Sequence, residues 1–92
     1  MGTVVPDGEV LVEEQEGEAF VLHVPSGRYF GLNRSGLVIW RAIVAGDDPV
    51  AALAARWPAT TETQRRADVD ALVTALLAAG LVRVEANART SP

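Results

Sequence analysis

Hydrophobic positions in the first third of the chain fall in short runs that polar turn segments separate, a pattern typical of strands. These runs lie at 10–12, 19–24 and 28–32. The connections between them are too short for a crossover, so the three predicted strands form an antiparallel meander. In the third strand, Phe30 and Leu32 are expected to face the core, because side chains alternate between the two faces.

After residue 33 the apolar positions recur at spacings of three and four, which predicts helices. Asn33 is a suitable N-cap for the first helix, and Asp48 followed by Pro49 marks the start of the second. Thr60 or Thr61 opens the third helix, and Gly80 lies where a left-handed C-terminal residue belongs. The three predicted helices span 33–46, 48–58 and 60–80, and a short extended piece follows at 81–84.

This order predicts an α+β fold with the parts of a winged helix-turn-helix, a three-stranded antiparallel sheet followed by three helices. Residues 9–85 are expected to form the domain, between a flexible lead-in at 1–8 and a flexible tail at 86–92. The apolar spacing predicts five core side chains, namely Ile39, Trp40, Val69, Leu72 and Leu76.

Composition argues against most catalytic functions. The chain has 92 residues, enough for one small domain, and it contains no cysteine and a single histidine, His23. A thiolate nucleophile is therefore excluded, and a histidine-based metal site is disfavoured. No cofactor or metal is expected, and the chain is predicted not to be an enzyme.

Charge and hydropathy bear on the partners and the compartment. Twelve acidic side chains against eight arginines give a formal net charge of −4, whereas a nucleic-acid surface needs clustered positive charge. A winged-helix DNA-binding regulator is therefore a remote alternative. The apolar windows are too short to span a bilayer, and no signal peptide is visible, so neither nucleic acid nor membrane is an expected partner. The absence of cysteine favours the cytoplasm.

The stretch YFGLNRSGLVIW at 29–40 concentrates three of the five aromatic residues at the predicted junction between the third strand and the first helix. Its motif residues are Tyr29, Leu32, Asn33, Gly36, Ile39 and Trp40. This spacing resembles the signature of the PqqD-like proteins, the recognition elements of pathways that make ribosomally synthesised and post-translationally modified peptides. The resemblance extends over about residues 5–85. A free-standing chain of this size is most similar to the leader-binding proteins of lasso-peptide pathways.

The resemblance implies that the chain binds the leader segment of a precursor peptide and presents it to a separate leader peptidase of the cysteine-protease type. An ATP-dependent cyclase is the further partner that it implies. In that family the leader adds as a strand beside the third strand and against the third helix. The alternative within the family is a peptide chaperone for a radical enzyme of quinone-cofactor biosynthesis.

Two segments are candidates for the leader site. The third strand has no proline, so each backbone position is able to pair, and Gly31 would allow close approach of a partner backbone. On the third helix, a stripe beside the core begins polar and ends apolar, as a groove wall requires. The predicted binding residues are Arg28, Tyr29, Phe30, Gly31, Leu32, Arg66, Asp70, Val73, Thr74 and Leu77.

Overall fold

A computed structural model describes residues 2–86 of the chain. Eight elements of regular structure follow one another along this part. They are β1 (Gly2–Pro6), β2 (Val10–Gln15), β3 (Glu18–His23), β4 (Arg28–Leu32), α1 (Arg34–Ala45), α2 (Pro49–Arg56), α3 (Glu62–Ala78) and β5 (Val82–Ala86). The α+β class, the antiparallel sheet and the three helices that follow it are as predicted from the sequence, and the predicted third strand is β4.

The three-stranded sheet has the order β2-β3-β4, with antiparallel neighbours throughout. A two-residue turn joins β2 to β3, and both of its residues, Glu16 and Gly17, have positive φ angles of 54° and 82°. This turn geometry matches the right-handed twist of the paired strands. The register places Val21 opposite Phe30 and Leu22 opposite Tyr29.

Side-chain caps set the starts of the helices, as the sequence predicts. The Asn33 side chain accepts a hydrogen bond from the Gly36 N–H, and the Thr61 side chain accepts one from the Gln64 N–H. Each cap satisfies a backbone donor that has no partner within its helix. Gly80, which follows α3, has a φ of +77°. The chain therefore turns out of α3 at a residue that adopts this conformation without steric cost.

A second, two-stranded sheet is the main departure from the predicted fold. Residues 1–8 are expected from the sequence to be a flexible lead-in, but Gly2–Pro6 is strand β1 and pairs antiparallel with β5. Because this pairing joins segments that are far apart in the sequence, no local pattern in either segment predicts it. Of the expected flexible tail, Ala86 is the last residue of β5, and residues 87–92 lie outside the described residues.

The core lies between the helices and the inner face of the three-stranded sheet. Ile39 and Trp40 of α1 are buried, and Leu76 of α3 is fully buried, as predicted. Val69 and Leu72 are partly buried and pack against this cluster. Within residues 2–86, none of the helices has both the length and the apolar character needed to cross a bilayer.

Candidate functional site

The candidate site begins at strand β4, which has β3 as its neighbour on one side only. Within residues 2–86 no strand pairs with its other side, because β1 pairs with β5 instead. In an antiparallel strand alternate residues direct their N–H and C=O groups away from the existing partner. The free edge of Arg28–Leu32 therefore presents unpaired backbone groups, which an extended chain is able to complete.

The two faces of β4 differ in character. Leu32 is buried and Phe30 is partly buried against the core, as predicted for this face. On the opposite face Tyr29 is 72% exposed, and Gly31 lies across from Phe20 of β3. A Cβ added to Gly31 would lie 3.6 Å from the Phe20 ring, an ordinary contact distance. A methyl group at position 31 would therefore pack against the Phe20 ring without a clash.

The junction between β4 and α1 is tightly packed around the capping residue. The Asn33 Oδ1 atom accepts hydrogen bonds from the Gly36 N–H at 2.8 Å and from the Ser35 hydroxyl at 3.0 Å. A Cβ added to Gly36 would lie 3.2 Å from that oxygen and 3.4 Å from the Leu32 side chain. A side chain at position 36 would therefore be crowded against Asn33 and Leu32, and the junction sets the direction in which β4 leads into the helix.

A groove of about 350 Å³ opens between the first turns of α1 and one face of α3. It starts where β4 ends. On the α1 side, the groove is lined by the N-capping asparagine, a serine hydroxyl, a glycine and an isoleucine. On the α3 side, it is lined by small and apolar side chains and one carboxylate. Its lining residues are Asn33, Ser35, Gly36, Ile39, Asp68, Ala71, Leu72 and Ala75. The groove is thus an apolar cleft with polar groups, and Asn33 connects it to the end of β4.

The predicted α3 residues lie elsewhere on the helix. Asp70 and Val73 line a separate depression of about 310 Å³ that includes Thr3 and Val4 of β1. Arg66 forms an exposed ion pair with Glu62 at 3.1 Å. Thr74 and Leu77 are exposed and line neither depression. The structure therefore brings together Arg28–Leu32, but it does not place the five α3 residues in the groove beside them.

The sequence predicts the flank of α3 that carries Asp70 and Val73, whereas the groove is lined by the opposite flank. Both predictions are compatible with the sequence, because the stripe of core residues along a helix has a border on each side. Both borders of the stripe run alongside Val69, Leu72 and Leu76, and hydropathy alone does not say which one faces β4. The sequence also carries a signal for the flank that lines the groove. Ala71 and Ala75 are four apart, so they form a row of small residues on one face, where a second chain is able to approach the helix closely.

Among residues 2–86, the polar groups outside the groove do not form a cluster of metal ligands. Within the described part of the chain, histidine, aspartate and glutamate side chains do not cluster in groups of three that could hold one. The Nδ1 atom of His23 lies 2.7 Å from the Ser26 hydroxyl, in the turn between β3 and β4. The histidine therefore supports the turn that leads into β4.

Comparison with known proteins agrees with this architecture. The family model described as "Coenzyme PQQ synthesis protein D (PqqD)" matches residues 18–82, which run from β3 to the first residue of β5. No curated protein sequence matches the chain at a significant level.

Two solved structures share the fold. One is described as "TbiB1 in Complex with the TbiA(beta) Leader Peptide"; it superposes with a TM-score of 0.80 at 24% identity, over 90% of this chain and 99% of that one. The other is described as "Lasso peptide synthetase B1 complexed with the leader peptide"; its TM-score is 0.76 at 23% identity, over 87% of this chain and 96% of that one.

Proposed function

This chain belongs to the PqqD family, and we propose that it binds the leader segment of a ribosomally made precursor peptide of the lasso type. The leader adds as an antiparallel strand at the free edge of β4. The observation that carries the proposal is this edge, unpaired within residues 2–86 and bordered by the groove on α3. That the two similar structures are described as complexes with leader peptides supports the same reading.

A strand added at this edge places its side chains in two rows. One row points to the inner side of the sheet, where Phe30, Leu72 and Ala75 offer apolar surface. Burial of an aliphatic or aromatic side chain there stabilises the complex by about 1.5–3 kcal/mol. The carboxylate of Asp68 lies in the same groove and favours a basic leader side chain beside it. The other row points to the outer face, next to Tyr29.

The chain then acts as an accessory protein that presents the leader to separate enzymes. A leader held as a strand is fixed in direction and register, because backbone hydrogen bonds set both. The leader peptidase and the cyclase that act on the precursor would thereby meet it in one orientation. The chain itself contributes binding and positioning in this scheme, and the chemical steps belong to its partners.

The second candidate function is a peptide chaperone for a radical enzyme in quinone-cofactor biosynthesis. The description of the family model favours it. Both functions use the same edge and groove, so they differ in the peptide that is bound. Titration of the chain with leader peptides from lasso precursors and with the precursor of the quinone cofactor distinguishes the two, since only the true partner binds at low micromolar concentration or below. A DNA-binding role is disfavoured by the net charge of −4.

Calorimetric titration of a leader peptide into two matched variants tests the proposed site. Ala71 is exposed and lines the groove, whereas Thr74 is exposed on the same helix and lies outside it. Arginine is a good helix former at either position. We expect Ala71→Arg to fill the groove and weaken leader binding by about tenfold or more, equivalent to about 1.4 kcal/mol. Thr74→Arg should bind as the wild type does.

The reverse result would place the leader on the flank of α3 that the sequence favoured, near Asp70, Val73 and Leu77. If both variants bind the leader normally, the helix takes no part in recognition and the groove is not the site. Circular dichroism of each variant checks that the helices remain folded.

A further inference from the structure

The outer face of the three-stranded sheet carries an apolar surface that extends from Tyr29, at the edge of the leader site, across to β2. Leu11 of β2 is 61% exposed, Phe20 of β3 is 56% exposed and Tyr29 of β4 is 72% exposed. The register pairs Leu11 with Leu22 and Leu22 with Tyr29, so these side chains lie side by side across all three strands. We name Leu11, Phe20, Leu22 and Tyr29 the outer-face patch. It lines an open depression of about 630 Å³.

The charge around the patch has one sign. Glu13 of β2 lies directly opposite Phe20 of β3 and lines the same depression. Glu18 lies two residues before Phe20 on β3, so its side chain is on the same outer face. No arginine, lysine or histidine occupies an outer-facing position of β2, β3 or β4, since His23 and Arg28 alternate onto the inner side. An apolar surface with a rim of carboxylates is complementary to a partner that presents apolar side chains among basic ones.

The same charges disfavour a second copy of this chain as the partner. A face-to-face dimer would bring Glu13 and Glu18 of one copy towards the same carboxylates of the other. Like charges at such short range destabilise an interface. A protein with lysine or arginine around its contact surface gains attraction at the same place.

The patch is also continuous with the proposed leader site. A leader added beside β4 becomes the next strand of the sheet, and its outward row of side chains lies next to Tyr29. The outer face then consists of this chain and the leader together. A protein that docks there contacts both, so it is able to recognise the loaded complex in preference to the free chain.

We propose that the outer-face patch is the surface on which the leader-processing peptidase docks, through apolar side chains surrounded by lysine or arginine. This inference rests on the proposed leader-binding function and adds the partner surface to it. It also assigns different tasks to the two sides of β4: the inner side with the α3 groove holds the leader, and the outer side binds the enzyme, with Tyr29 at the border between the two sites.

The test uses purified leader peptidase from the same gene cluster and the full chain saturated with leader peptide. Two variants alter the patch: Phe20→Thr keeps a strand-forming residue and removes the ring, and Glu13→Lys reverses one rim charge. Control variants introduce the same two residues, threonine and lysine, on β5. These are Val84→Thr, at a side chain 58% exposed, and Glu85→Lys. Each variant is assayed separately for leader binding and for peptidase binding.

We expect Phe20→Thr and Glu13→Lys to weaken peptidase binding by about tenfold or more, while leader affinity stays close to that of the wild type because neither side chain lines the α3 groove. Added salt should weaken the wild-type complex and affect the Glu13→Lys complex less. The β5 controls should bind peptidase normally. Peptidase binding that is equal in the wild type and the patch variants would overturn the inference.

Two further outcomes are informative. If the wild type is a dimer by sedimentation and Phe20→Thr is a monomer, the patch is occupied by a second copy and the peptidase inference is wrong. If the free wild-type chain binds peptidase through the patch but takes up no leader, the docking inference stands and the proposed leader-binding function fails.

Discussion

Replacement of Trp40 by alanine tests how the junction after β4 is built. Its indole is 3% exposed and lies in the buried cluster with Ile39, Leu53 and Leu76. Truncation of a buried tryptophan to alanine costs about 3–5 kcal/mol. A domain of this size has a total free energy of unfolding of about 4–13 kcal/mol. We therefore expect Trp40→Ala to remove about a quarter or more of the stability and to lower the melting temperature by more than about 10 °C.

Trp57 provides the matched control, because it is the same residue type in a less buried place. It is half-buried at the end of α2, and the Arg56 guanidinium lies 5.4 Å from the centre of its ring. Urea unfolding followed by circular dichroism measures both variants. Trp57→Ala should cost clearly less than Trp40→Ala. Equal midpoints for Trp40→Ala and the wild type would refute the assignment of the motif tryptophan to the core.

Three further substitutions probe the strand and its junction. Gly36→Ala should destabilise by about 1–2 kcal/mol, because overpacking against Asn33 and Leu32 outweighs a helix gain of up to about 1 kcal/mol. Gly8→Ala is the control, because a Cβ at position 8 meets no atom within 4 Å. Equal stabilities of the two variants in urea unfolding would show that the junction is not tightly packed around position 36. Asn33→Ala should cost about 1 kcal/mol in the same assay, and Asn33→Asp should retain most of the cap; equal losses would show that the side-chain oxygen is not the stabilising group. Tyr29→Ala should weaken leader binding in calorimetry without lowering the melting temperature, since the side chain is largely exposed; unchanged affinity would remove Tyr29 from the site.

The local features of the fold were predictable from the sequence because each depends on neighbouring residues. Each of three patterns involves only a few neighbouring positions. They are a strand with polar turns on both sides, an asparagine just before apolar residues at helical spacing, and a glycine just after such a series. β4, the Asn33 cap and the Gly80 turn are therefore found where the sequence predicts them. The burial of Trp40 follows in the same way, from the spacing of apolar residues along α1.

The features that sequence reasoning missed depend on contacts between distant parts of the chain. β1 pairs with β5 across almost the whole length of the domain, and a five-residue segment gives no local sign of such a partner. On α3, which border of the core stripe faces β4 depends on how the helix is rotated in the fold. The sequence indicates that α3 has a half-polar border, but the packing of α3 against α2 and β5 fixes its rotation, so that Asp68 and Ala71, and not Asp70 and Val73, line the groove.

Amide hydrogen exchange, resolved residue by residue with NMR, tests most directly whether a leader peptide completes the sheet. Outward-pointing amides of Arg28–Leu32 exchange rapidly when they face only water, and they become protected once an added strand accepts their hydrogen bonds. With saturating leader peptide, we expect those β4 amides to exchange more slowly and the outer edge of β2 to remain unchanged. Unaltered exchange in β4, with new protection on β2 or α2 instead, would contradict strand addition at this edge.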